Sequence, residues 1–333
     1  MDFDGKTILV TGGTGSIGRE IVSQLLKKRV KKVIVLSRDE IKQYAIKQRI
    51  NDDRLESFVG DIRDYRRVES VFNNNIIDFV FHAAAMKHLM VCEEAPMESA
   101  GTNIIGTHNL IDLCLKHKVK KTIMISTDKA ANPSSVMGAS KFIAERITLN
   151  ANKISDDMKF CCVRFGNVAN ARGSIIPIMI GRIKNDQNIW ITDPQVTRFV
   201  MKIPDAVRLV LKAVEITQGG EIFILKMKAF RLGDLADIMR NRIAGVLGKV
   251  IDVQTIGLVH GEKMHEELLN VLEYGRVLEN EELYIVVDHA QKEYEGFKKS
   301  DIKNYTSQYS EKLSSQEIEE IIMEYTYDEA MGK

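Results

Sequence analysis

The chain has 333 residues, enough for two domains or one large one at about 150 residues per domain, and a chain this long buries about three quarters of its unfolded surface without disulfide staples. Its 47 Lys+Arg balance 46 Asp+Glu to a net charge of +1, and the charges are scattered, so no electrostatic field points to nucleic acid or to an anionic membrane. Cys92, Cys114, Cys161 and Cys162 show neither metal-ligand nor disulfide spacing, no run approaches the ~18 apolar residues of a membrane span, and Met1 is followed by Asp2 and Asp4 instead of a leader. These features predict a reduced, cytoplasmic protein that acts on a small molecule, with no metal, no nucleic acid and no membrane among its partners.

In chain order, short β-branched runs at 7–10, 32–36, 57–59, 79–82, 122–126 and 160–164 alternate with longer amphipathic segments, the rhythm of β-α-β units. Runs such as ILV and VIVL do not alternate with polar residues, so they fit strands covered on both faces. The expected fold is α/β, a doubly wound parallel (Rossmann) sheet with its ligand at the strands' carboxyl ends. After Gly166 the rhythm breaks into Gly, Pro and Asn punctuation, with a short strand at 222–226 and a helix at 231–244. The expected organisation is a dinucleotide-binding domain over 1–166, onto which an amphipathic segment at 204–217 packs back, and a smaller interleaved substrate lobe made of 167–203 and 218–333.

The first strand runs into TGGTGSIG, which places Gly12, Gly15 and Gly18 three apart, with Thr14, Ser16 and Ile17 between them, at a strand-to-helix turn. Gly12 takes the tight turn, Gly15 lets backbone approach a pyrophosphate, Gly18 lets the helix pack close, and the helix's first N–H groups attract phosphate. The second strand ends at LSRDE. Ser37 and Arg38, a hydroxyl and a planar guanidinium, suit a 2′-phosphate and favour NADP over NAD; the other reading leaves Arg38 solvated and puts Asp39 or Glu40 on an NAD ribose. GDIRD puts Asp61 and Ile62 where they flank an adenine ring, and Ala83, Ala84 and Ala85 are small enough for backbone to lie against the cofactor.

The fifth strand, TIMIS, delivers Ser126, Thr127, Asp128 and Lys129 to the sheet's carboxyl edge, and a helix carrying Met137 and Lys141 follows. TGGTGSIG, SRDE with Lys42 and Gln43, GDIRD, FHAAAMKH, TNIIGT, STDKAANPSSVMGASK, FGNVANARGSIIP, DPQVTRF, GGEIF and HGEKMHEELL together span residues 6–269. In these motifs the chain resembles the extended short-chain dehydrogenase/reductase superfamily and, within it, the UDP-N-acetylglucosamine 4,6-dehydratases of bacterial and archaeal polysaccharide synthesis. The resemblance implies that Thr127 and Asp128 work at carbons 4 and 6 of the sugar and that Lys129 works at carbon 5. Hydride leaves carbon 4 for NADP, the 4-keto group acidifies the proton at carbon 5, water is eliminated, and hydride returns to carbon 6 with no net cofactor consumed. Lys129 serves as the carbon 5 base if burial and the cofactor lower its pKa toward neutrality, with Asp128 protonated to release the 6-hydroxyl.

One departure stands at Met137, where most of the superfamily has a Tyr that takes the proton of the hydroxyl being oxidised. Lys141, one turn on, still reaches the nicotinamide ribose, but a thioether cannot ionise. Thr127 through water, Asp128 before it acts as acid, and Lys129 are the candidate bases. Asn167, just after the sixth strand, can hydrogen-bond a phosphate or the sugar, with Arg172 and Ser174 close by; by resemblance Arg198 and Glu262 meet the diphosphate and the uridine ribose, and Lys87, with Glu93 near it, touches the hexose. Val259 stands where relatives carry an Arg, with His260 a possible substitute, and His82 fits a structural role better than a ligand's.

The expected activity is that of a lyase: NADP-dependent dehydration of UDP-N-acetylglucosamine or another UDP-HexNAc to a UDP-4-keto-6-deoxy-HexNAc. The features lean to retention at carbon 5, and a homo-oligomer is expected. The alternatives are a UDP-sugar 4-epimerase, which shares the first hydride step, and a catalytically silent NADP-binding scaffold or sensor.

Overall fold

The computed structural model describes residues 3–288 and 293–330. From the amino end the elements are β1 (Thr7–Thr11), α1 (Ser16–Leu26), β2 (Lys32–Ser37), α2 (Glu40–Ile50), β3 (Leu55–Val59), α3 (Tyr65–Asn73) and β4 (Phe79–His82). Then come α4 (Leu89–Glu94), α5 (Pro96–Ala100), α6 (Gly106–Lys116), β5 (Lys121–Thr127), α7 (Val136–Asn150), β6 (Lys159–Phe165), β7 (Asn167–Val168), α8 (Ile175–Lys184), β8 (Ile189–Ile191) and β9 (Thr197–Met201). The carboxyl part adds α9 (Ile203–Ile216), β10 (Ile222–Leu225), β11 (Ala229–Arg231), α10 (Leu232–Ile238), α11 (Ala244–Val246), β12 (Val253–Thr255), β13 (Val277–Glu279), β14 (Leu283–Val286), β15 (Lys298–Lys299) and α12 (Ser315–Ala330).

Local chemistry sets the helix starts nearest the site. Asp39 accepts a hydrogen bond from the Lys42 backbone N–H, Asp64 does the same for Arg67 at α3, and Ser135 does so for Gly138 at α7, each satisfying an orphan first-turn donor. The strands between them are apolar on both sides; every residue of β1 and β4 is buried.

Seven strands run parallel in the order β3-β2-β1-β4-β5-β6-β10, the doubly wound arrangement, and β14, β13 and β15 extend the same sheet antiparallel. The order reverses between β1 and β4, which opens a crevice at their carboxyl ends, where ligands bind in such sheets. The helix expected over 204–217 is α9, and it lies against α1, β5 and β6, burying Val207, Leu209, Val210 and Val214.

The expected boundary of the smaller lobe needs correction. Residues 218–333 do not all belong to it, because β10 inserts beside β6 and brings β13–β15 into the main sheet. The reason is the rule that identified the earlier strands: IFIL has no polar alternation and all four residues are buried, so it needs cover on both faces. A separate apolar core forms the smaller lobe, with Ile176, Ile180, Ile189, Leu235, Met239 and Ile322 drawn from α8, β8, α10, the turn after α10, and α12. No described helix is long and apolar enough to cross a membrane.

Candidate active site

The glycine turn after β1 lies in the crevice. Gly12 has φ +68, a left-handed conformation, and a Cβ on it would stand 2.6 Å from the Ala84 nitrogen and 2.8 Å from the Ala83 carbonyl carbon. On Gly18 a Cβ would stand 2.3 Å from the Gly12 oxygen. Gly15 donates its N–H to that same oxygen at 2.9 Å and precedes the first residue of α1, so the turn folds into a side-chain-free cradle at a helix amino terminus. Thr14 donates to the Ser37 hydroxyl at 3.1 Å, and Ser16 accepts from the Arg172 N–H at 3.0 Å. Ile17, partly buried, packs on the main core.

At the end of β2, Ser37 is also held by buried Gln43, whose amide donates to the Ser37 carbonyl at 2.8 Å and to the Phe58 carbonyl at 2.7 Å. Gln43 lies in a quoted motif, but its role as a clip between β2 and β3 emerges only from the fold. Asp39 is committed to capping α2, while the Arg38 guanidinium is half exposed and 3.5 Å from Asp61. Burial pushes the Asp61 carboxyl up, yet hydrogen bonds from the Arg63 side chain and backbone outweigh it and hold the group below its ordinary value. Ile62 is buried against Gly106. Ala83 donates to the Thr11 carbonyl at 3.1 Å and Ala84 to the Thr11 hydroxyl at 3.4 Å, with Ala85 next along the same edge. His82, bridging Thr11 and Thr107 through its two ring nitrogens and pushed down to about 3 by burial, is a structural group.

The tip of β5 passes into a single turn of 3-10 helix, Asp128–Ala130. Asp128 is 1% exposed. Its Oδ1 accepts from the Thr127 hydroxyl at 2.6 Å, the Lys129 N–H at 2.9 Å and the Lys129 ammonium at 3.2 Å. The Lys129 ammonium also lies 3.1 Å from Oε1 of Glu266, a side chain only 2% exposed. Burial pulls the pKa of Lys129 down, but Asp128 and Glu266 on either side overcome that, and the net shift is upward. Raised in the folded state, this group adds stability below the ordinary lysine range and loses it as pH rises through the higher folded value.

Glu266 leads on to the smaller lobe. Arg198 Nε is 3.8 Å from Glu266 Oε1, and Arg198 Nη2 donates to Glu262 at 2.6 Å, where Thr192 also donates at 3.1 Å. Thr127, Asp128, Lys129, Glu266, Arg198 and Glu262 therefore form one continuous polar chain, and the two residues expected at the diphosphate and the ribose are paired with each other. Sequence reasoning missed Glu266, because two consecutive acids in HEEL give no pattern that selects one. Its neighbour Glu267 lies near Lys263 and Asn132 instead.

The start of α7 closes against this turn. A Cβ on Gly138 would stand 2.6 Å from the Lys129 carbonyl oxygen, and one on Gly261 would stand 2.8 Å from the Ser135 Cβ, so the glycine of HGEK lets its loop lie on the helix start. Met137 is 5% exposed. Lys141 is buried and donates to the Ile125 carbonyl at 2.6 Å; burial brings it down to about 8 against the opposing pull of Glu145. Under β5, Ser126 donates to Glu145, which Arg164 ties to Glu273.

The remaining candidates are spread over several elements. Lys87 donates to the Arg172 carbonyl at 2.8 Å, which brings the AAAMKH and ARGS loops together over Ser16, and burial and Arg172 lower the lysine's pKa. Asn167 sits in β7 opposite Val200, and Ser174 immediately precedes α8, with a buried hydroxyl that has no partner among the described residues. His260 is drawn toward Glu93 at 3.7 Å, and Glu93 caps the Val136 N–H at 2.7 Å, so neither joins the Arg198 pair. Among the described residues no group of three His, Cys, Asp or Glu is placed to hold a metal.

Residues 8–288 match the family described as polysaccharide biosynthesis protein. A protein of Methanocaldococcus jannaschii named an uncharacterized membrane protein is 42% identical over 330 residues, 98% of this chain and 97% of that one. A protein of Rickettsia bellii named UDP-glucose 4-epimerase is 35% identical over 338 aligned positions, covering 98% and 97%. The X-ray structure of Pen from Bacillus thuringiensis superposes with a TM-score of 0.92 at 39% identity, covering 98% of this chain and 99% of Pen. The chain belongs to the polysaccharide biosynthesis protein family, built on a doubly wound, Rossmann-like α/β fold.

Proposed function

We propose that this chain is a nucleotide-sugar-modifying enzyme that dehydrates UDP-N-acetylglucosamine, or a close UDP-HexNAc, to the 4-keto-6-deoxy sugar. The observation that carries the reading is the buried Asp128 hydrogen-bonded on one side to Thr127 and on the other to Lys129, at the tip of the strand beside the crevice. The turn of Gly12, Gly15 and Gly18 suits a dinucleotide pyrophosphate, because a Cβ at Gly12 or Gly18 would collide with backbone and force open the tight turn that precedes the first N–H groups of α1. Ser37 and the unburied Arg38 suit the 2′-phosphate of NADP, and Asp39, turned into its helix cap, is poorly placed for an NAD ribose. When bound, the nicotinamide supplies reversible storage of hydride between carbon 4 and carbon 6.

The residues of the chain divide the proton transfers. The 4-hydroxyl proton passes to Thr127 Oγ1 as the Thr127 proton moves to Asp128, along a hydrogen bond already 2.6 Å long. Asp128 thereby becomes a neutral acid and gives that proton to the departing 6-hydroxyl, so a base at position 137 is not needed. Lys129 takes and later returns the carbon 5 proton. Lys141 leaves the Ile125 carbonyl to hold the nicotinamide ribose. Arg198 and Glu262 part to meet the diphosphate and the uridine ribose, Asn167, Arg172 and Ser174 contact phosphate, and Lys87 touches the hexose.

A second reading, UDP-sugar 4-epimerase, is favoured by the name of the Rickettsia bellii relative and uses the same oxidation at carbon 4. Mass spectrometry after incubation with UDP-N-acetylglucosamine separates them. Dehydration gives a product lighter by one water; UDP-N-acetylgalactosamine of unchanged mass selects the epimerase and rejects the proposal.

A further inference from the structure

Lys129 rests as an ammonium between two carboxylates, yet on the dehydratase reading it must act as a base, and the mechanism above leaves its proton without a destination. Asp128 is not available, because at that stage it already carries the proton that leaves with the 6-hydroxyl. Glu266 is the other carboxylate in contact, 3.1 Å from the Lys129 ammonium. We infer that Glu266 is a proton store for Lys129: its carboxylate takes the ammonium proton so that the freed amine can remove the proton at carbon 5, and hands it back once carbon 5 is reprotonated.

The balance closes. After oxidation at carbon 4 the cluster holds neutral Asp128, the Lys129 ammonium and the Glu266 carboxylate. Transfer across the 3.1 Å contact gives a free amine and a neutral Glu266. Elimination breaks the bond from carbon 5 to hydrogen, puts that proton on Lys129 and spends the Asp128 proton on the leaving hydroxyl. As hydride reaches carbon 6, Lys129 protonates carbon 5 and then recovers its proton from Glu266. All three groups are back in their starting states, and no proton has been exchanged with bulk solvent.

The surroundings of Glu266 suit a carboxylate that cycles through its neutral form. Oε2 is buried and makes no hydrogen bond among the described residues, so the ionised group is only half satisfied and a proton relieves the unpaired oxygen. The charged groups facing it are Lys129 and, behind Lys129, Asp128 from the 3-10 turn, with Arg198 from β9 at 3.8 Å. Of its own loop, His265 turns to the Thr197 hydroxyl and Glu267 toward Lys263, while the Glu266 backbone N–H is held by Ser307. Lys129, with its side chain 22% exposed against 2% for Glu266, is the more accessible member of the pair.

The inference rests on the dehydratase reading, and E266Q tests it, since glutamine keeps the shape and cannot store the proton. Two readouts are followed with UDP-N-acetylglucosamine: near-ultraviolet absorbance of reduced nicotinamide in a single turnover, and the pH profile of water elimination. Expected are normal oxidation at carbon 4, accumulation of reduced nicotinamide, and elimination slowed about 10²-fold at neutral pH but rising toward about tenfold per pH unit, because the lysine proton must now leave to solvent. E266D should recover most of the rate. Elimination at the wild-type rate with the wild-type profile overturns the inference, as does equal loss of oxidation and elimination with E266D no better, the mark of a structural role. Wild-type protein that yields no dehydrated sugar sinks the dehydratase reading itself, before any variant is compared.

Discussion

Asp128→Asn and Lys129→Met are each expected to lower dehydration of UDP-N-acetylglucosamine by about 10² to 10⁴-fold while leaving dinucleotide binding intact, measured by steady-state kinetics and by calorimetry. The two variants should fail at different points. Asp128→Asn removes the end of the relay from Thr127, so oxidation at carbon 4 and departure of the 6-hydroxyl are both lost. Lys129→Met leaves that relay in place and blocks only the carbon 5 step, so reduced nicotinamide should build up in Lys129→Met and not in Asp128→Asn. Neither side chain lies in the glycine cradle, which is formed by β1, α1 and the Ala83–Ala84 backbone, so the cofactor has no reason to be released. Near-wild-type turnover in either variant removes that residue from the mechanism.

The largest stability effect is expected beneath the site. Arg164 is fully buried and is held by Glu145 at 2.7 Å, Glu273 at 2.9 Å and the Leu268 carbonyl at 2.8 Å. Replacing it with methionine leaves two carboxylates in the interior without their cation, a change that costs about 3–5 kcal/mol in comparable buried pairs. Denaturant unfolding at neutral pH should report that loss. Burial pushes the Glu145 carboxyl up, but Arg164 outweighs it and the folded value lies below the ordinary one. In the native chain this gives stability above the ordinary glutamate range that disappears as pH falls through the lowered folded value. The deficit of Arg164→Met should therefore narrow on acidification; a deficit that is absent at neutral pH would show that the network is replaceable by packing alone. Ser126, which donates to Glu145 one residue before Thr127, links this network to the strand tip that carries the chemistry.

The parts of the molecule that were legible in the sequence are those whose physics is local. TGGTGSIG states a backbone requirement, and the cradle around Gly12 and Gly18 shows why: each bare α-carbon faces backbone closer than a methyl group allows. Short β-branched runs in a regular rhythm placed the first six strands. The same logic found β10 as a strand at 222–226 but not its place, because the glycine, proline and asparagine punctuation after Gly166 reads as a separate lobe. Asp128 and Lys129 were legible as neighbours at a strand tip, but the state of Lys129 was not. It depends on Glu266, which lies 137 positions further along the chain by residue number and meets Lys129 only when the HGEKMHEELL loop lands on the start of α7. Arg198 and Glu262 were both foreseen as polar contacts for a ligand, whereas their pairing with each other is a property of the closed polar chain.

The central claim is that hydride removed at carbon 4 comes back at carbon 6 after water has left between them. The most direct measurement uses UDP-N-acetylglucosamine carrying deuterium at carbon 4, with the product read by nuclear magnetic resonance. The account predicts that the deuterium is found in the carbon 6 methyl group, with carbon 4 a ketone. Deuterium remaining on carbon 4, in substrate or in a 4-epimer, would contradict it.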